Sequence, residues 1–125
     1  MGIGRGWSPM TPLATHQEQI QRLNDLFRRA GPLAPTGGKW TVTRGVLDLF
    51  PEAVGEAVRI VRQFSAFAED IDPWGEHDFG TFDLAGERLF WKIDYFDLDM
   101  TLGSPDPANP AVTYRVLTIL LASEY

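Results

Sequence analysis

The sequence of 125 residues has no cysteine, only two histidines and no apolar run long enough to cross a bilayer. Without cysteine there can be no disulfide, no thiolate metal site and no cysteine nucleophile. A bilayer-spanning helix needs about 20 predominantly apolar residues, and residues 1–7 lack the apolar stretch of a secretory signal. We therefore expect a cytoplasmic protein that does not bind membranes.

Acidic charge is abundant, and it is concentrated in the second half of the chain. Residues 1–63 carry 8 Lys or Arg and 5 Asp or Glu, a net charge of +3. Residues 64–125 carry 3 Lys or Arg and 12 Asp or Glu, a net charge of −9. A negative field repels phosphate backbones, which disfavours direct nucleic-acid binding. It attracts a basic protein surface or a cation, although acidic loops also keep ordinary small domains in solution.

The N-terminal half predicts an arm, two helices and a strand. Residues 1–14 are rich in Gly and Pro and predict a flexible arm, followed by a single domain over residues 15–125. Thr15 and Glu18 form a capping-box pattern before a helix over about residues 16–30. The apolar stripe expected for that helix comprises Ile20, Leu23, Leu26 and Phe27. Alternating large and polar residues predict a strand over 39–44, and apolar spacing predicts a helix over 51–66.

The C-terminal half predicts a hairpin and a third helix. The hairpin arms cover residues 79–84 and 88–96, with Ala85-Gly86 at a type I turn with a bulge, because Ala suits a type I′ position poorly. Asn109-Pro110 fits an N-cap followed by a first-turn proline, which predicts a helix to the chain end. The predicted fold is α+β, in the order α-β-α-β-β-α, with a three-stranded antiparallel sheet and three helices.

Two acidic loops flank the predicted hairpin and supply the candidate binding residues. Because one loop precedes the first arm and the other follows the second, antiparallel pairing should bring both to the same edge of the sheet. The residues that we expect to bind a protein partner are Asp70, Asp72, Trp74, Glu76, Asp78, Asp97 and Asp99. A purely structural interpretation stays open, since Asp is favoured in turns where its carboxylate bonds backbone amides.

The same loops also allow a catalytic interpretation. His77 can act as an acid or base near neutral pH, and an adjacent carboxylate can orient it. Oxygen-rich clusters suit Mg²⁺, Mn²⁺ or Ca²⁺ rather than zinc. A metal-dependent hydrolase or nuclease would then use Glu76, His77, Asp78 and Asp94. No motif is specific enough to assign a resident metal or cofactor.

Several longer strings carry a resemblance to a known family. They include Leu23-Asn24-Asp25, Thr43-Arg44-Gly45-Val46, Asp72-Pro73-Trp74-Gly75-Glu76-His77-Asp78-Phe79-Gly80, Phe90-Trp91-Lys92-Ile93-Asp94-Tyr95, Gly103-Ser104-Pro105-Asp106-Pro107 and Ala122-Ser123-Glu124-Tyr125. Over about residues 20–125 the chain resembles domain of unknown function 3768, a small alphaproteobacterial family met on plasmids and phages. The resemblance implies a mobile-element setting and supplies no catalytic residue.

The leading hypothesis from these observations is a non-enzymatic, acidic protein-binding domain. In a mobile-element setting such a domain could inhibit host defence, as an anti-CRISPR or anti-restriction protein that occupies the nucleic-acid-binding surface of its partner. The first alternative is the metal-dependent hydrolase or nuclease. The second is an oligomeric structural subunit that assembles through the predicted C-terminal helix, using Val112, Leu117, Leu120 and Leu121.

Overall fold

A four-stranded mixed sheet forms the centre of the structure, a computed structural model that describes residues 14–33 and 36–125. The strands are β1 (Gly38–Val42), β2 (Phe79–Leu84), β3 (Glu87–Phe96) and β4 (Tyr114–Leu121). The helices are α1 (His16–Ala30), α2 (Arg44–Leu47) and α3 (Ala53–Arg62). The strand order is β1-β4-β3-β2, with β1 parallel to β4 and the other pairs antiparallel.

The α+β class is therefore confirmed, and the described residues form three helices, although α2 takes the place of the predicted C-terminal helix. The three-stranded antiparallel sheet and the order α-β-α-β-β-α are wrong, because the elements follow the order α-β-α-α-β-β-β. The segment predicted as a C-terminal helix forms β4, which lies between β1 and β3. A strand buried on both faces has a continuous apolar sequence without polar–apolar alternation, so its pattern does not distinguish it from a buried helix. The Asn109 cap does form, since Asn109 Oδ1 accepts from the Ala111 N–H at 2.9 Å, but the helix it starts is a single 3₁₀ turn, Pro110–Val112.

The first helix begins and ends where the sequence predicts. Thr15 Oγ1 accepts from the Glu18 N–H at 3.1 Å, and the Glu18 carboxylate accepts from the Thr15 N–H at 2.9 Å, which completes the capping box. The buried face differs from the predicted apolar stripe. Its members are Ile20, Asn24, Phe27 and Arg28, whereas Leu26 is 65% exposed. The predicted arm over 1–14 lies, apart from Ala14, outside the described residues.

The hairpin is confirmed, and its turn differs from the prediction. Leu84 pairs directly with Glu87, which leaves the two-residue loop Ala85-Gly86. Both loop residues have positive φ, 54° at Ala85 and 78° at Gly86. That combination defines a type I′ turn, whose twist matches the flanking strands, so strand pairing overrides the poor preference of Ala for this position.

One face of the sheet carries the main core. Phe27 of α1, Val46 of α2 and Val61 of α3 pack against buried residues of the two central strands. Those strand residues are Leu89, Trp91 and Ile93 on β3, and Leu117 and Ile119 on β4. On the opposite face, the rings of Phe79, Phe90 and Tyr125 form an aromatic group, in which Tyr125 meets both phenylalanines edge to face. None of the described helices combines the length and apolar character that a bilayer span requires.

Two glycines give a paired test of this packing. A Cβ at Gly80 would lie 2.7 Å from both Phe64 Cζ and Trp91 Cε2, and Trp91 is fully buried. At Gly55 in α3 a Cβ meets nothing within 4 Å. Gly80→Ala should lower the free energy of unfolding by about 1–3 kcal/mol through overpacking, and Gly55→Ala should raise it by about 0.5–1 kcal/mol. Urea unfolding of both variants checks this, and a stabilising Gly80→Ala would contradict the packing described.

Candidate functional site

Both acidic loops leave the sheet at the same end, as the sequence predicts. The first loop leads into β2, where the Asp78 carbonyl accepts from the Ile93 N–H at 2.8 Å. The second follows β3 and turns back at once, with the Asp97 N–H donating to the Leu102 carbonyl at 2.9 Å. The pairing of β2 with β3 therefore determines the position of both loops.

Within the first loop, two of the candidate binding carboxylates point inward. Asp72 is only 7% exposed, and its carboxylate accepts from the backbone N–H groups of Glu76 and His77 at 3.1 and 3.2 Å. Glu76 Oε1 accepts from the hydroxyl of Tyr95 at 2.9 Å. These side chains shape the loop and tie it to β3, which is the structural use that turn-forming carboxylates commonly have.

Asp78 lies half-buried beside these inward carboxylates. Burial, followed by the negative charges of Glu76, Asp72 and Asp94, raises the pKa of Asp78 from its ordinary value of 3.8 to about 6. Desolvation and like charges both disfavour the ionised form of a carboxyl group. The acidic charge of this loop therefore depends on pH in the mildly acidic range.

The second loop holds itself together with its own carboxylates. Asp97 accepts from the backbone N–H of Thr101 at 2.9 Å, and Asp99 accepts from the Thr101 hydroxyl at 2.9 Å. Large apolar side chains project between these groups, with Leu98 62% and Leu102 72% exposed. In the first loop Asp70 is exposed and Trp74 is 75% exposed. The outward residues of the two loops are thus acidic and apolar together.

His77 is held on all sides by neighbouring groups. Its Nδ1 lies 2.9 Å from Asp25 Oδ1, and its Nε2 lies 3.2 Å from Gln21 Nε2. Its ring stacks on Phe67 with centroids 3.7 Å apart. With Nδ1–H donating to Asp25, the lone pair on Nε2 accepts from the Gln21 amide. A general base needs that lone pair free for a substrate proton, so this geometry fastens the loop to α1 rather than presenting a base.

The catalytic alternative gains no ligand arrangement from this geometry. Glu76 bonds Tyr95, His77 bonds Asp25, and the Asp94 carboxylate accepts from Lys92 Nζ at 2.8 Å. Across residues 14–33 and 36–125, no three His, Asp or Glu side chains are placed to hold a metal ion. The oligomeric alternative loses its premise, because Leu117 and Leu120 are buried in β4 and do not lie on a helix.

The sequence reading missed a buried polar cluster built on Asn24, which is fully buried in α1. Its Nδ2 donates to the Glu76 carbonyl at 3.0 Å and to the Tyr95 hydroxyl oxygen at 2.8 Å, and its Oδ1 accepts from Arg115 Nε at 2.7 Å. Burial and the charge of Asp78 raise the pKa of Tyr95, so its hydroxyl stays protonated and donates to Glu76. One amide thereby joins α1, the first loop, β3 and β4.

Arg28 is the second missed residue, and it caps a helix other than its own. The sequence places it where the dipole of α1 favours a cation, yet it is only 1% exposed. Its Nη1 donates to the carbonyls of Val61 and Phe64 at the end of α3, at 3.2 and 3.1 Å. In return, Arg62 Nε donates to the Arg29 carbonyl at the end of α1 at 2.9 Å. The C-termini of α1 and α3 are thus capped reciprocally.

A recognisable signal for this cluster exists in the sequence. Ile20, Asn24, Phe27 and Arg28 follow the i, i+4, i+7, i+8 spacing of one helix face. Two polar members make that face less apolar than the neighbouring one, which holds Leu23 and Leu26. Apolar residues alone therefore indicate the wrong face of α1.

The fold and site define a small α+β domain with a four-stranded mixed sheet and an internal polar cluster. The chain belongs to the family described as Protein of unknown function (DUF3768), whose model matches residues 42–124, about two thirds of the chain. The match includes both acidic loops and strands β2 to β4, and it excludes α1 with Asn24 and Arg28. No curated protein and no solved structure matches the chain.

Removing the Asn24 side chain should destabilise the domain. Asn24→Ala leaves Arg115 Nε and the Glu76 carbonyl without their described partner, and a buried unsatisfied group costs about 1–3 kcal/mol. We expect the free energy of unfolding to fall by roughly 2–4 kcal/mol. Arg22→Ala, at an exposed position of the same helix, should change it by less than about 0.5 kcal/mol. Equal effects of the two variants in urea unfolding would contradict the role given to Asn24.

The raised pKa of Asp78 predicts a pH dependence of stability. Between about pH 4 and 6 the folded chain holds the Asp78 proton more tightly than the unfolded chain does. The stability contributed by this proton is therefore present at low pH and lost as the pH rises through about 6. Asp78→Asn removes the contribution, so the stability of wild type relative to this variant should fall from pH 4 to 6.5. Parallel pH profiles for the two proteins would show that Asp78 titrates normally.

Proposed function

We propose that this chain is a non-enzymatic protein-binding domain that presents an acidic and apolar surface to a basic partner. This surface, the acidic end, consists of the outward residues of the two loops. They are Asp70, Trp74, Leu98, Asp99 and Leu102, whereas Asp97 is half-buried and bonds Thr101. The partner that fits it best is a protein that binds nucleic acid through Lys and Arg side chains.

The observation that carries the proposal is the exposure of large apolar side chains among carboxylates at one end of the sheet. Trp74, Leu98 and Leu102 are 75%, 62% and 72% exposed. Single exposed leucines are ordinary, but a tryptophan with further apolar residues, surrounded by charge, is typical of interaction surfaces. Tryptophan is also among the residues enriched at the energetic centres of interfaces.

Charge indicates the chemistry of the partner. Carboxylates form strong, charge-assisted hydrogen bonds with guanidinium and ammonium groups. Lys and Arg surfaces that hold phosphates are the common protein surfaces with that chemistry. An acidic domain bound there would exclude nucleic acid, which is how an anti-restriction or anti-CRISPR inhibitor could act. The mobile-element setting implied by the sequence resemblance favours a partner in host defence.

The inward carboxylates have a supporting part in this proposal. Asp72 bonds the loop backbone, Glu76 bonds Tyr95, and His77 bonds α1. Together they hold the loop that carries Trp74. Substituting them would disturb the loop itself, so they are poor choices for testing direct contact with a partner.

Charge reversal limited to the outward residues tests the proposal. Asp70→Lys combined with Trp74→Ala and Leu98→Ala should weaken capture of basic nucleic-acid-binding proteins from a bacterial lysate by about 30-fold or more, as loss of an interface centre does. The captured protein should also be released by added duplex DNA or heparin, because both occupy phosphate-binding surfaces.

A matched control changes the same charge at another exposed site. Glu52→Lys also reverses one exposed carboxylate, directly before α3. This variant should retain full binding. If both variants lose binding equally, net charge alone explains capture, which would contradict the proposal. A captured protein that heparin does not release would exclude a phosphate-binding surface as the contact.

A further inference from the structure

An apolar cavity of about 360 Å³ lies beside α1, on the side of the helix that faces the starts of β1 and β4. Pockets of roughly 300–1,000 Å³ with mainly apolar walls and a few polar groups are typical of small-molecule sites. The residues that define this cavity include Leu23, Leu26, Phe27, Ala30, Pro110 and Arg115. The acidic end contributes none of them.

Among the described residues that line the cavity, Arg115 is the one charged group, and it is only 4% exposed. Its Nε donates to Asn24 Oδ1 at 2.7 Å, and its Nη2 donates to the Pro107 carbonyl at 2.6 Å. A guanidinium has five N–H donors, and these two bonds use two of them. Both acceptors that Arg115 has within residues 14–33 and 36–125 are uncharged oxygens.

The charge of Arg115 therefore lacks a close counterion within the described part of the chain. Glu76 acts on it electrostatically, but Glu76 Oε1 is bonded to the Tyr95 hydroxyl. The face of the Tyr95 ring, 5.3 Å from the guanidinium carbon, gives a weaker cation–π contact. A buried charge without an ionic partner is costly, and an added anion would lower that cost.

We propose that this cavity binds a small amphipathic carboxylate, an aliphatic monocarboxylic acid, with the carboxylate at Arg115. The alkyl chain would lie against Leu23, Leu26 and Phe27, where it would leave water. Arg is suited to this contact because its planar group binds both oxygens of a carboxylate. The proposal is independent of the partner-binding proposal, since the two surfaces share no residue.

The test compares three ligands that share an alkyl chain and differ in charge. Octanoate, octanol and octylamine are titrated into the whole protein, with calorimetry and amide chemical shifts as readouts. Octanoate should bind at least about tenfold more tightly than octanol, since a hydrogen bond between charged groups is worth that much. Octylamine should not bind, and the largest shifts should fall on α1 and near Arg115.

Variants at the cavity rim distinguish this site from general hydrophobic binding. Leu26→Glu places a negative charge at an exposed rim position and should weaken octanoate binding at least about tenfold. Ala30→Trp should block the cavity and abolish binding. Leu47→Glu, at an exposed position of α2 that is outside the cavity wall, should have no effect.

Three results would overturn the proposal. One is the absence of octanoate binding at millimolar concentration. Another is equal affinity for octanoate and octanol, which would remove Arg115 as the recognition group. The third is full octanoate binding by Leu26→Glu or Ala30→Trp, because the ligand would then lie elsewhere. Both substitutions are at exposed positions of α1, so the variants should fold, and circular dichroism verifies this.

Discussion

The side-chain amide of Asn24 is the contact on which much of this structure depends. It lies at full burial between α1, the first acidic loop, β3 and β4, and each of its bonds joins a different element. Inside a protein such groups stabilise only when every partner is present, because an unpaired buried polar group costs more than a made bond returns. Arg28 adds the same constraint at the other end of the helix face, where it caps α3.

Local chemistry was sufficient to predict the elements whose signals are local. The capping box of Thr15 and the position of the hairpin turn at Ala85-Gly86 follow from residues close in sequence, whereas the type of that turn follows from the pairing of its strands. β4 was missed for the opposite reason. Its residues are apolar because β4 lies between two other strands and is buried on both faces of the sheet. Neither neighbour can be identified from residues close to β4 in sequence. The parallel pairing of β1 with β4 could not be inferred without β4.

The candidate site was predicted in position and only partly in structure. Strand pairing makes both loops leave the sheet at the same end, as topology alone requires. Their carboxylates then divide into two sets that sequence does not separate. Asp72 accepts hydrogen bonds from the loop backbone and Glu76 accepts one from Tyr95, whereas Asp70 and Trp74 are exposed. The first set holds in place the loop on which Trp74 is exposed.

The orientation of α1 connects the polar cluster with the apolar cavity. A helix that turns Asn24 and Arg28 inward must turn the adjacent face outward, and that face carries Leu23 and Leu26. These leucines therefore line a cavity instead of entering the core. The same Asn24 accepts from Arg115 Nε, and Arg115 is one of the residues that line the cavity. The position of Leu23 and Leu26 at the cavity and the burial of Arg115 beside Asn24 thus have one cause, and the proposed ligand, with an apolar chain and a carboxylate, would fit both.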